Sequence, residues 1–240
     1  MGRAAMMCVV GAITLRLVIT GEFGNFVQQH MQLPLTIAAV LLIFFGVVEV
    51  IGDLRDGRHD PESSRRAVAP TVGWLLGLPV LVLLSVAPAA LGATAAERVD
   101  PIVPSEPASP EAFIEPIDSS DGPIQMPVYD FMSRALWDDG SDFSEVEVEL
   151  EGLVVNSPEV DDGFLLTKFA VSCCAADGLP LQVMLHGLDS TYDNDQWVRV
   201  AVQWRPPDDG VVDTDDYVEA DVIEIEVVDD PPDNPYETPF

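Results

Sequence analysis

The chain has 240 residues, 48% of them hydrophobic, yet 41 Asp and Glu stand against 11 Lys and Arg, a formal net charge of −30. So acidic a chain repels polyanions, which excludes nucleic acid as a partner, because that role rests on Lys and Arg neutralising phosphates. The apolar content in turn excludes a chain that is disordered throughout.

The two properties belong to different parts. Residues 1–96 hold six acids and six Arg, while the other 35 acids and five basic residues lie in 97–240, so the second part carries the whole excess. The neutral part, 1–96, reads as a membrane domain, since a bilayer core of about 30 Å needs roughly 20 apolar helical residues to cross. Three spans are expected, at about 4–20, 33–51 and 71–91. The first contains Arg16, the second has Glu49 near its end, and the third sits in an uncharged run from Ala67 to Ala96. A signal peptide is the alternative for the first, but no small-x-small site follows Thr20 and a second apolar stretch begins soon after. Ala93-Thr94-Ala95 has the look of a cleavage site, but it lies behind the third span and reads as an uncut helix end.

Topology follows the arginines. The loop between the second and third spans carries Arg55, Arg58, Arg65 and Arg66, whereas the loop before the second has no Lys or Arg. By the positive-inside bias, the N-terminus and the second loop are cytoplasmic, and the acidic part emerges on the other side of the cytoplasmic membrane. Arg16 and Glu49 fall at opposite depths, so each is expected to reach its own interface rather than pair. Gly73 and Gly77 form a GxxxG spacing that would let another helix approach the third span.

Residues 97–127 contain Pro101, Pro104, Pro107, Pro110, Pro116, Pro123 and Pro127, a density that favours an extended spacer. Val128–Trp137 has apolar residues at helical spacing. After Ser141 the period becomes two. Glu145–Glu151 alternates acid and aliphatic, and 164–172, 181–186, 196–204 and 218–228 read as four further strands between turn signals. Five strands and one short helix in 128–240 suggest a small β-barrel of the OB type, with a short β-sandwich as the alternative. Trp197 and Trp204 are seven apart on one strand, hence on opposite faces.

Cys8 lies in the first span, and Cys173-Cys174 form an adjacent pair in FAVSCCAADGLPLQVMLH. Neighbouring Cα atoms are about 3.8 Å apart, below the usual disulfide range of about 4.4 to 6.8 Å, so a vicinal disulfide would be strained. Outside the cytoplasm, thiols are buried, oxidised or bound. Three readings follow: a structural pair, a contact to metal or substrate, or a redox pair. For metal, Cys173 and Cys174 with Asp177 and His186 nearby would suit zinc or copper(I). Enzyme signatures are otherwise absent, with no Gly-rich phosphate loop, HExxH or GxSxG. The Asp-rich stretches 189–196 and 213–219 lack the spacing of an EF-hand loop and read as solvated acidic face.

LRLVITGEF, the run WLLGLPVLVLLSVAPAALGATAAER, TKFAVSCCAADGLPLQV, DNDQWVRV and the terminal PPDNPY together carry a resemblance. The sequence resembles the YcgQ-like family of permease subunits, in which a membrane N-terminus precedes an outer β domain built round a Cys-Cys-Ala-Ala-Asp motif. The resemblance implies a non-enzymatic accessory protein beside a larger multi-span permease, embedded in membrane lipid and assisting transport of a solute or of a metal such as zinc. Relatives often carry a His-rich loop between the second and third spans, whereas RDGRHDPESSRR keeps only His59. The outer carboxylates then read as a solubilising coat, or as a field that concentrates cations near a permease mouth.

Overall fold

The computed structural model describes residues 2–56, 90–106, 122–137, 146–188, 190–207, 217–229, 232 and 234–238. It divides into two compact units, 1–89 and 90–240.

The first unit is a helical hairpin of α1 (Gly2–Thr20) and α2 (Gln32–Asp56). The chain reverses at Gly21, whose φ of 80° is left-handed, and through two short 3₁₀ turns. Small residues set the packing. A Cβ on Gly11 would meet Ala39 O at 2.8 Å, and one on Gly46 would meet Cys8 Sγ at 2.6 Å, so the backbones close together there. This pairing sets Gly46 of α2 beside Ala4 and Cys8, and Ala39 beside Gly11. Arg16 and Glu49 therefore stand at opposite ends of the hairpin. Large apolar side chains such as Phe44, 58% exposed, and Phe45 point away from it. The stretch Gln29–Gly52, 24 residues with a mean hydropathy of 2.5, is long and apolar enough to cross a membrane, a composition shared by membrane spans and signal sequences. The apolar part of α1, Ala4–Thr20, is shorter. Nearly all of the third expected span lies outside the described residues, and so do Gly73 and Gly77.

The second unit is a closed five-stranded barrel. Its strands are β2 (Glu147–Val155), β3 (Phe164–Ala170), β4 (Leu179–His186), β5 (Trp197–Arg205) and β6 (Val218–Val228), preceded by α3 (Ala93–Ala96), β1 (Ile124–Gln125) and α4 (Val128–Trp137) and followed by β7 (Tyr236–Glu237). The ring runs β2-β5-β6-β4-β3 and closes through β2–β3, so the sandwich alternative is set aside. All its pairings are antiparallel except β4–β6, which is parallel.

Alternation drives the closure. In β5, Val198, Val200, Val202 and Trp204 point inward, while Trp197, Arg199, Ala201, Gln203 and Arg205 point out. Trp204 is core and Trp197 lies in an outer apolar layer, as the seven-residue spacing requires. That outer layer contains Leu153, Val155, Leu165 and Phe169, covered by Ala93, Ala96 and Tyr236. Helix α4 packs Val128, Phe131, Met132 and Ala135 against the barrel core. Fully burying side chains of this size contributes roughly 1.5 to 3 kcal/mol each.

The proline-rich segment expected as a spacer belongs in part to this unit. Ile102 N–H donates to Pro180 O at 2.9 Å, and Trp137 Nε1 donates to Pro104 O at 2.9 Å, so residues 102–104 lie along β4 and α4. Further on, β1 adds to β2 as a parallel strand. The prolines do keep 101–106 extended, and this extended chain is docked. Residues 107–121 lie outside the described set.

Candidate functional site

The Cys pair sits on the turn between β3 and β4. After Ala170 the chain leaves the barrel, and Ala175–Asp177 forms a short 3₁₀ turn with Cys174 as its N-cap. Asp177 organises this turn. Its carboxylate accepts N–H bonds from Ser172 at 3.0 Å, Cys173 at 3.0 Å and Cys174 at 3.5 Å, while the Cys174 sulfur accepts the backbone N–H of Asp177 in return. These reciprocal bonds satisfy amides that the turn would leave unpaired.

The result is a preset cluster. One ligand atom from each of Cys173, Cys174 and Asp177 lies within 4.8 Å of the others. Both cysteines are free thiols, Cys173 exposed and Cys174 half-buried. The Cys173 thiol also donates to the Asp177 carboxylate, which pushes its pKa up to about 11, helped by the neighbouring Cys174 thiol and by loss of hydration. The same bond, with the backbone amides, holds Asp177 below the usual carboxylate range.

The structure does not bring His186 to this cluster. At the end of β4 its Nδ1 lies 2.8 Å from Asp162 Oδ1 and its Nε2 3.2 Å from Glu219 Oε2. The hydrogen bond to His186 is the main cause that lowers the Asp162 pKa. His186 is therefore fixed to the loop before β3 through Asp162, while its buried Nε2 makes no hydrogen bond among the described residues.

Two sulfurs and a carboxylate oxygen are a donor set that zinc or copper(I) accepts, and soft thiolates favour both. Structural zinc sites close with four protein ligands. With His186 elsewhere this turn supplies three, which leaves a fourth position to water or another molecule.

The turn also has a fixed neighbour. A Cβ on Gly178 would come within 2.3 Å of Leu91 Cδ1, so the Leu91 side chain lies closely against the residue after Asp177. Leu91 N–H donates to the Tyr236 hydroxyl at 3.1 Å, and Ala93 N–H donates to Asp195, whose φ of 67° is left-handed. Residues 91–93 are thereby docked beside the Cys turn.

Residues 118–236 match the DUF1980 C-terminal domain family. The match begins ahead of β1, ends in β7 and contains the Cys turn and the whole barrel. It is consistent with the resemblance to YcgQ-like proteins carried by the same segment. No curated protein and no solved structure matches the chain.

A second group of charged residues escaped the sequence reading. Lys168, Arg199, Glu149, Glu151 and Glu237 line one cavity with Asn234. They come from three strands and the C-terminal segment, with no motif in common. The one local hint was Lys168, the only lysine in the chain, placed inside an apolar strand.

Proposed function

We propose that the protein is a non-enzymatic accessory subunit of a membrane permease, and that its outer domain receives a soft metal ion, zinc or copper(I), at Cys173 and Cys174. Three spans, at about 4–20, 33–51 and 71–91, hold it in the cytoplasmic membrane with the barrel outside the cytoplasm. The strand order, with its single parallel closure, supports an OB-type barrel.

The observation that carries the reading is the Cys173, Cys174 and Asp177 cluster, preset on an exposed turn with ligand atoms within 4.8 Å of one another. A preset, three-donor, accessible site suits an ion that is taken up and passed on. Its fourth position stays available to a donor from a partner. The acidic outer domain would raise the local cation concentration around it.

Redox use of the pair is less well supported. Reactive cysteines are activated by a lowered pKa, and Cys173 is pushed the other way, to about 11.

Extraction of tagged full-length protein in mild detergent tests the subunit reading. A multi-span permease is expected to co-purify; repeated recovery of the protein alone, with metal bound, would favour a membrane-tethered metal-binding protein instead.

A further inference from the structure

The barrel holds a second candidate site, remote in chemistry from the thiols. Pairing between β2 and β3 covers only Leu153–Val155 against Leu165–Thr167. Beyond that the two strands part, β1 extending the sheet from β2 and β7 extending it from β3. In this opening lies a cavity of about 440 Å³, within the range typical of small-molecule sites.

The charges lining it are mostly spoken for. Lys168, only 6% exposed, has its Nζ 3.4 Å from Glu151 Oε1 and 4.9 Å above the Trp197 ring. Arg199 bonds Glu151 at 3.1 Å and lies 3.5 Å from Glu149 Oε1. Glu149 Oε1 also takes the Gln125 amide at 2.6 Å. The Glu237 oxygens accept Val128 N–H at 2.8 Å and Tyr129 N–H at 2.9 Å. Lysine is almost never this buried unless paired, and here both cations have their carboxylates.

What is left over points to a ligand. Glu226 Oε2 also lies 3.5 Å from Arg199 Nη1, so with Glu149, Glu151 and Glu237 the carboxylates outnumber the two cations. The side-chain oxygen of Asn234 is buried without a hydrogen-bond partner among the described residues, an arrangement that is costly unless something supplies a donor. The second oxygen of Glu149 has no partner among the described residues either. A positively charged guest with N–H donors answers all of this. Calcium does not, because it takes six to eight oxygens and most here are already engaged. An anion would meet cations that are already neutralised. The space exceeds that of a bare ion, and Met126 and Tyr236 offer apolar wall to a hydrocarbon chain.

We infer that this cavity binds a small organic ammonium ion, with the ammonium directed to Asn234 and Glu149 and its alkyl chain against Met126 and Tyr236.

Calorimetric titration of the detergent-purified full-length protein with n-butylammonium chloride tests this, with sodium butyrate and calcium chloride as comparators at matched ionic strength. Saturable one-site binding of butylammonium alone is expected. Asn234→Leu should weaken it at least about tenfold, and Asn234→Asp, which adds a charge without adding bulk, should tighten it. The Cys173→Ser/Cys174→Ser variant should bind butylammonium as wild type does, so this inference stands or falls apart from the metal reading. Binding of butyrate or calcium in its place, no binding at all, or butylammonium uptake that is non-saturable and equal in all Asn234 variants would overturn it, the last as diffuse attraction to an acidic surface.

Discussion

Asp177 sets the chemistry of the Cys turn, and Asp177→Asn exposes its contribution. In the wild type the hydrogen bond to Asp177 is the largest cause raising the Cys173 thiol from its ordinary 9.0 to about 11. Cys173 is exposed, so access does not limit its reaction. A two-unit rise lowers the thiolate fraction about 100-fold at any pH below both values. Intrinsic nucleophilicity grows with thiol pKa at a Brønsted slope of about 0.4 to 0.5, which returns roughly 6- to 10-fold. The net effect is a thiol about tenfold slower to alkylate than an unperturbed one. Asparagine keeps an oxygen for the backbone amides and loses the charge, while the Cys174 contribution remains. Asp177→Asn is therefore expected to react about three- to tenfold faster with iodoacetamide near pH 7.5. The rate is followed at Cys173 by mass spectrometry in chelator-treated protein. An unchanged or slower rate would refute the assignment of Asp177 as the group that holds the thiol proton.

Three further outcomes follow from the barrel. Gly163→Ala puts a Cβ 1.7 Å from the Leu185 carbonyl oxygen, a main-chain atom of β4 that cannot give way; urea denaturation should show a loss of about 3 kcal/mol or more, and a loss under about 0.5 kcal/mol would contradict the close approach. Burial raises the Glu237 carboxyl above its ordinary 4.5, against the pull of the Tyr129 and Val128 amides. Its contribution to stability is thus complete below that value and lost as the pH rises through the folded pKa, so Glu237→Gln should flatten the decline in urea midpoint as the pH rises above 4.5; a steeper decline would reverse the sign. His186→Ala removes the 2.8 Å bond to Asp162 and is expected to cost about 1 kcal/mol while leaving Cys173 alkylation and metal content unchanged. A change in either would put His186 back into the Cys site.

Local pattern carried much of the fold. The helix Val128–Trp137 matches its expected bounds, because its apolar residues sit at one spacing and face one core. Strand β5 alternates without a break and is displaced by one residue at most from its expected 196–204. Strand β2 runs on to Val155 where alternation had marked only Glu145–Glu151, since Leu153, Val154 and Val155 are buried on both faces by the core and the outer layer. Such double burial erases the period-two signal. The parallel β4–β6 closure had no local mark at all, being set by residues more than 30 positions apart. Prolines announced an extended spacer over 97–127, and in 101–106 the chain is extended, but they could not announce that it docks on Pro180 and Trp137.

The candidate site divides in the same way. Cys173, Cys174 and Asp177 stand within five consecutive residues, so one turn brings them together. His186 looked close in sequence, but it ends a strand and is hydrogen-bonded to Asp162. The charged cavity joins residues from β2, β3, β5 and the C-terminal segment, and only the closed barrel assembles it.

The most direct test of the account is the zinc content of full-length protein, purified in detergent, equilibrated with zinc and desalted, wild type against Cys173→Ser/Cys174→Ser. The account predicts about one zinc per wild-type chain, retained because binding is coupled to the preset thiols, and near none in the variant. Equal zinc in both, whether high or near zero, would contradict it.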